Sequence, residues 1–269
     1  MRPWAALGLA LALGLALREA AGQLPALPAI TDKEFIRECL RIHNELRASV
    51  EPPASDMRYM TWDAALAKNA RAWAKRCLFR HNKYLRMKHQ CHPNFTSIGE
   101  NIWVGSHPIF SVSTAVKAWY KEIRFYNYTK HTCSKVCGHY IQVVWNYSYK
   151  VGCAVALCRE VAGIRNAANF ICDYAPGVNY PRRPYSTGDS CNRCGNSDSC
   201  EKKLCILPIN LLFIYLFTDY ERWHPPWDSI FECDEACICL LAVRASLMFL
   251  GFLAVYFIKK YFLNMDMSN

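Results

Sequence analysis

Apolar residues first recur along the chain at helical spacing. Phe35, Cys39, Ile42 and Leu46 fall every three or four residues behind Thr31-x-x-Glu34, a capping-box start, so a helix is predicted there. A second helix is predicted from about Trp62, with Leu66, Ala70, Trp73 and Cys77 on one face. A third runs from about Ser113 to Arg124, with Val116, Trp119 and Ile123 turned inward. From Gly138 the period becomes two: His139, Ile141, Val143 and Trp145 alternate with Tyr140, Gln142 and Val144, which reads as a strand. Val151 to Cys158 and Asn169 to Ala175 are short, apolar, cysteine-bearing runs with turn residues between them, as in an antiparallel meander. Helices first and strands later predict an α+β domain, helices packed on an antiparallel sheet.

The two ends differ from this core. Arg2, the apolar run Ala5 to Leu17 and the small residues Ala20-Ala21-Gly22 have the order of a cleaved signal peptide over residues 1–22, with a mature chain beginning near Gln23. Ala236 to Ile258 carries one charge, Arg244, and as a helix it would reach about 35 Å, enough to cross a bilayer core of about 30 Å. A mid-membrane arginine costs about 2.5–3.5 kcal/mol, but Arg244 lies in the outer half and can snorkel. Asp234 and Glu235 precede the span and Lys259 and Lys260 follow it. That asymmetry places the tail, 259–269, in the cytoplasm and predicts a type I cell-surface protein, or an extracellular one if the tail is lost. A removed lipid-anchor signal fits less well, because Tyr261 to Asn269 contains Asn264, Asp266 and Asn269.

Between core and span, Cys191-x2-Cys194-x5-Cys200-x4-Cys205 has too few apolar residues to bury a core, so it should be held by its own disulfides; zinc is the other reading of such spacing. The connector, 206–235, continues an apolar run from Leu204 to Phe217 that is too short to span and suits a buried or membrane-surface segment. The expected organisation is therefore a domain over 31–185, a cysteine-rich hinge over 191–205, the connector, a span over 236–258 and the tail.

Composition adds the compartment. The chain has 15 cysteines and three N-x-[ST] sequons, at Asn94, Asn127 and Asn146, which point to the oxidising secretory pathway. Cys233, Cys237 and Cys239 beside the span could be paired, free or, facing the cytosol, palmitoylated. The formal net charge is +10, and between Ala64 and His92 there are eight cations (Lys68, Arg71, Lys75, Arg76, Arg80, Lys83, Arg86, Lys88) and no acidic residue. That stretch is either a solvated helix face or a docking patch for anionic glycans or lipid headgroups. An extracellular setting argues against nucleic acid.

Four motifs carry a resemblance. Gly138-His139-Tyr140-Ile141-Gln142-Val143-Val144-Trp145 and Phe170-Ile171-Cys172-Asp173-Tyr174-Ala175-Pro176-Gly177-Val178-Asn179-Tyr180 resemble the two signatures of the CAP superfamily (cysteine-rich secretory proteins, antigen 5, pathogenesis-related proteins). His43-Asn44-Glu45-Leu46-Arg47 and Gly99-Glu100-Asn101 look like two more of its motifs, and within the superfamily the glioma pathogenesis-related branch is indicated. The resemblance implies an α-β-α sandwich followed by the hinge. No six-cysteine ion-channel-regulator module follows. Asp173, where the family usually has Asn, and Cys91 depart from its pattern.

The resemblance also implies a cleft lined by His81, Glu100, Glu122 and His139. Two imidazoles and two carboxylates facing one cavity can bind a divalent ion such as Zn2+, or can bond each other and hold the cleft without metal. There is no G-x-S-x-G elbow and no H-E-x-x-H helix, and Ser97 is the nearest hydroxyl to the motif residues. The leading expectation is a non-catalytic extracellular binding domain tethered to a membrane, with a protein, glycan or lipid partner. A zinc-dependent hydrolase using the four cleft residues and a sterol or lipid binder are the alternatives.

Overall fold

The computed structural model describes residues 26–179, 181–208, 220, 222–228 and 235–261. The expected signal peptide, residues 209–217 of the apolar run, Cys233 and the tail beyond Tyr261 lie outside the described residues. The chain divides into two units, Met1–Trp227 and Asp228–Asn269.

Helix α1, Lys33–Ala48, opens the first unit. Its cap is Asp32 rather than Thr31: the Asp32 carboxylate accepts from the amides of Glu34 (2.8 Å) and Phe35 (3.3 Å), and an anion at a helix N-terminus is doubly favoured by the hydrogen bonds and the dipole. Thr61–Trp62 forms a short strand, β1, so the second helix starts later than expected. It is α2, Ala64–Ala74, capped by Asp63, whose side chain accepts from the Leu66 amide at 3.0 Å. Cys77 falls past its end, at φ 54°, and pairs with Cys158. Strand β2 is Gly99–Ser106. Helix α3, Val112–Tyr120, gives way to a 3-10 turn over Lys121–Phe125, so the predicted third helix is really two elements. A small hairpin of β3, Tyr126–Asn127, and β4, Thr132–Cys133, follows.

The segment from Gly138 is not a strand. Gly138–Val143 is a six-residue helix, α4. Tyr140 to Trp145 are all buried, which removes the one-sided exposure that a period of two implies. What sequence pattern cannot register is how its ends are satisfied. Glu122 Oε2 accepts from the amides of His139 (3.0 Å) and Tyr140 (3.3 Å). At the other end Arg47 donates to the carbonyls of Val143 (2.9 Å) and Trp145 (2.8 Å). A helix this short has almost no stability of its own; an anion at one end and a cation at the other supply it.

Strands β5, Lys150–Val161, and β6, Ile164–Ala175, are longer than the apolar runs suggested. They pair antiparallel, with Cys153 opposite Cys172 and bonded to it. The sheet order is β1-β5-β6-β2, with only β1–β5 parallel. Phe170, Cys172 and Tyr174 face one layer with α1, α3 and α4 residues such as Phe35, Ile42, Trp119 and Ile141. Ile171 and Ala154 face the other layer with Ala67, Ala70 and Trp73 of α2. The result is an α-β-α sandwich. Gly152 permits the close approach of α2, because a Cβ there would lie 2.1 Å from the Ala67 nitrogen.

The cysteine cluster is closed by Cys191–Cys200 and Cys194–Cys205 across a hairpin of β7, Ser199–Glu201, and β8, Leu204–Ile206. Cys191, Cys194 and Cys205 bring their sulfurs close enough for a metal, but all three are spent in these bonds. Cys77–Cys158 spans 81 residues, which on the chain-entropy account contributes about 4–5 kcal/mol. In the second unit, α5 runs Glu235–Tyr261, and its Ala242–Lys260 stretch has the length and mean hydropathy (1.6) to cross a membrane.

Arg47 is fully buried and its five hydrogen bonds end on backbone carbonyls: Arg58 twice, Val143, Trp145 and Ser148. Burial lowers its guanidinium to about 9, so it stays charged at neutral pH. Arg47→Met strips all these acceptors of their donors and should cost about 3–5 kcal/mol in urea unfolding of the full chain, with Arg47→Lys intermediate. A loss below about 1 kcal/mol for the Met variant would mean the clamp is not structural.

Candidate functional site

The four residues expected to line a cleft form two His–Glu pairs. His139, at the start of α4, bonds through Nδ1 to Glu122 Oε1 at 2.7 Å, and Glu122's other oxygen holds the α4 amides. The imidazole lies parallel to Trp119, ring centroids 6.4 Å apart. His81, in the loop after α2, bonds through Nδ1 to Glu100 Oε1 at 2.9 Å, and the Asn82 amide donates to the same oxygen. Because a carboxylate only accepts, Nδ1 carries the proton in both imidazoles and Nε2 is the free position. Glu100's side chain is fully buried whereas His81's is 63% exposed. The hydrogen bond to Glu100 raises the pKa of His81, and its charge adds to the effect against partial burial.

Glu100 and Asn101 are neighbours on β2 and so point to opposite sheet faces. Asn101 donates to the His139 carbonyl at 3.1 Å and to Tyr174 Oη at 3.5 Å. Tyr174 Oη in turn bonds His43 Nε2 at 2.9 Å; burial lowers His43 to about 4, so it stays neutral and accepts that proton. On the Glu100 side, Asp173 stands directly opposite across the β2–β6 pair. It is fully buried, accepts from Asn69 Nδ2 at 2.6 Å, and leaves Oδ1 without a partner, as Glu100 leaves Oε2. Burial pushes the Asp173 carboxyl well above its ordinary range, Glu100's charge pushes it further, and Asn69 opposes. Cys91 is a buried free thiol 3.6 Å from Asn82 Nδ2; burial first, then the Asp173 charge, raises its pKa and leaves it a poor nucleophile.

Several expected site residues lie elsewhere or are occupied. Ser97 is exposed, its carbonyl accepts from the Gly177 amide, and among the described residues its hydroxyl makes no bond to a histidine. Asn94 and Asn127 are exposed. Asn146 is buried and its Nδ2 donates to Asp56 Oδ2 at 2.7 Å, so a glycan on that nitrogen is incompatible with this packing. The basic stretch divides. Lys68 donates to the carbonyls of Tyr220 (2.5 Å) and Trp223 (3.1 Å), and Arg76 lies 5.3 Å from the centre of Trp227, which also stacks on Tyr84. The end of the connector thus covers part of the face expected to be open. Arg80, Lys83, Arg86 and Lys88 are exposed.

The family model for the cysteine-rich secretory protein (CAP) family matches residues 40–174. The chain belongs to this family. It is 48% identical over 222 residues to mouse glioma pathogenesis-related protein 1, covering 81% of this chain and 84% of that one. Cattle GLIPR1-like protein 1 is 51% identical over 194 residues, 72% of this chain and 79% of that protein. Among solved structures, NaASP2 with Zn2+ aligns over 67% of this CAP chain and all of its own, at 27% identity and a TM-score of 0.53.

Asn101, Trp119, Asn69 and Asp173 position the tetrad without having been singled out for that work. Asn101 sits beside Glu100 in the Gly99-Glu100-Asn101 motif, and Trp119, inward on the predicted third helix, lies three residues before Glu122, so adjacency was an available signal. Asp173 binds its proton more tightly in the folded chain than its ordinary value of 3.8. The folded state therefore holds more protons, and stability falls as pH rises above that value. Asp173→Asn removes this dependence and offers an amide to Glu100's unpartnered oxygen. Thermal melts should show the variant more stable at pH 7 by about 1–2 kcal/mol, with the gap closing toward pH 4. A destabilised variant at pH 7 would contradict this reading.

Proposed function

We propose that the chain is an extracellular CAP binding domain, held at a membrane by α5 in the type I orientation, that recognises its partner through the His81–His139 cleft and does not turn it over. The observation that carries this is the state of the two imidazoles. Each is oriented by a carboxylate at Nδ1 and presents Nε2, yet among the described residues no hydroxyl or thiol bonds either Nε2 as an activated nucleophile does. The exposed Arg80, Lys83, Arg86 and Lys88 around His81 favour a partner bearing negative charge, and the extracellular setting leaves proteins, glycans and lipids as its classes. The apolar Ala242–Lys260 stretch supports the tether.

The same arrangement suits a metal. Carboxylate-backed imidazoles offering Nε2 are the usual orientation of metal-bound histidines, with the carboxylates behind the ligands rather than as ligands. His81 and His139 would then hold Zn2+, and Glu100 and Glu122 would fix their tautomers. Zinc would supply Lewis acidity and a charged anchor for an anionic partner. The similarity to a structure solved with Zn2+ supports this. Among the described residues these four groups do not gather three ligand atoms within 4.8 Å, which favours a site completed by the partner or water.

A lipid reading is favoured by a cavity of about 480 Å3 between the segment before α1 and the start of α3, whose walls join Leu27, Phe35, Phe110 and Val112 to the acids Asp32, Glu34 and Glu38.

Calorimetry on the full chain tests the cleft. Zn2+ should bind to wild type and not to His81→Ala/His139→Ala. Because protonation of Nε2 competes with the metal and Glu100 raises His81, affinity should fall as pH is lowered through that raised value. Zinc binding unchanged in the double variant would remove the metal role, and a specific hydrolysis abolished by His139→Ala would overturn the binding-only reading.

A further inference from the structure

A second concavity lies outside the tetrad and outside the basic stretch over residues 68–88. Its volume is about 840 Å3 and its walls include Arg182, Arg183, Arg193, Tyr128, Ser186 and Thr187. All three arginines are exposed. Arg183 donates through Nε and Nη2 to the carbonyls of Tyr128 (3.1 Å) and Thr129 (2.7 Å), which fixes the plane of its guanidinium and leaves Nη1 unspent. Arg182 bonds Tyr147 Oη and lies 3.8 Å over that ring. Arg193 makes no side-chain hydrogen bond among the described residues.

None of the three faces a carboxylate in an ion pair among the described residues. The adjacent acid, Asp56, turns its oxygens to neutral donors, Oδ1 to the Ser186 amide at 3.0 Å and Oδ2 to Asn146 at 2.7 Å. Three guanidinium groups thus share one groove with no carboxylate paired to any of them among the described residues, and two of them are held in place by neutral acceptors. Like charges so gathered repel unless an anion joins them, and the planar fork of arginine fits sulfate, phosphate and carboxylate oxygens two at a time. The groove is far larger than one oxyanion. Its hydroxyls at Ser186, Thr187 and Thr129 suit a polyhydroxylated chain, and the Tyr128 ring, Pro52 and Pro181 offer the apolar surface on which the faces of sugar rings pack.

From this geometry we infer that the Arg182–Arg183–Arg193 groove is a binding site for a sulfated glycan, separate from the cleft. The arginines take the sulfate groups and the hydroxyls take the sugar. It is a property of the chain whether or not the cleft binds metal.

The test is binding of the full glycosylated chain, in detergent, to an immobilised heparin octasaccharide and to its desulfated counterpart. The sulfated form should bind at least about tenfold more tightly, and Arg182→Ala/Arg183→Ala/Arg193→Ala should abolish that advantage. Arg193→Glu alone breaks no internal bond. It should weaken binding by about threefold or more at an unchanged melting temperature, which separates lost recognition from lost folding. Lys117→Ala/Arg159→Ala/Arg165→Ala, which removes three exposed cations outside both the groove and the basic stretch, should leave affinity within about twofold. The inference is overturned if the groove variants bind as wild type does, or if the loss is as large in the Lys117, Arg159 and Arg165 variant. It is equally overturned if inorganic sulfate at equal sulfate concentration competes as well as the octasaccharide, or if phosphatidylserine vesicles and not the octasaccharide are the ligand lost in the groove variants.

Discussion

A single buried cation organises this domain. Arg47 leaves α1, enters the interior and spends all of its N–H groups on carbonyls of three chain segments that are otherwise unrelated: the stretch before β1, the end of α4 and the turn before β5. A charge taken out of water is tolerated only when every donor is satisfied. Here the partners are dipoles rather than a carboxylate, and two of them lie at the C-terminal end of α4, where the helix dipole is negative. Asn44, one turn earlier on α1, reinforces the link by bonding both the amide and the carbonyl of Met60. The motif His43-Asn44-Glu45-Leu46-Arg47 is therefore a polar latch on one helical face.

The placing of His139 follows from that latch. With Arg47 at one end and Glu122 at the other, α4 is a strut whose first turn carries His139. A hydrogen-bonded path runs from His43 through Tyr174 and Asn101 to the His139 carbonyl, so the same helix that supplies Arg47 also steadies the other end of α4. His81 depends on different contacts. Its partner Glu100 lies on the opposite face of β2, against Asp173 and α2, where Gly152 lets the helix approach. The His139–Glu122 pair is thus set by the helical layer around α1 and the His81–Glu100 pair by α2, with Glu100 and Asn101 as adjacent residues on β2 contacting one pair each.

Legibility in the sequence followed locality. The apolar stripe of α1, the cysteine-bearing strands β5 and β6 and the self-contained hinge were readable because each is fixed by neighbours in sequence or by burial on one face. The two halves of the tetrad were legible only through resemblance to CAP motifs, since His81 and Glu100 are 19 residues apart and Glu122 and His139 are 17 apart. The helix α4 was misread because its caps come from Glu122 and Arg47, and because a fully enclosed segment shows no polar face. Burial of Asn146 and the covering of Lys68 and Arg76 by Tyr220 to Trp227 are tertiary facts with no local signature. The Arg182, Arg183 and Arg193 groove was missed for the opposite reason: its charges are spread from the segment after β6 into the hinge, and their convergence on one groove appears only in three dimensions.

Native-state hydrogen exchange at the α4 amides tests the central relation most directly. The account predicts that the His139 and Tyr140 amides are protected in the wild-type chain although their acceptor is a side chain. It also predicts that Glu122→Ala and Arg47→Lys each release protection across α4 well before β5 and β6 lose theirs. Protection of α4 that survives both substitutions, or that is lost only with global unfolding, would contradict it.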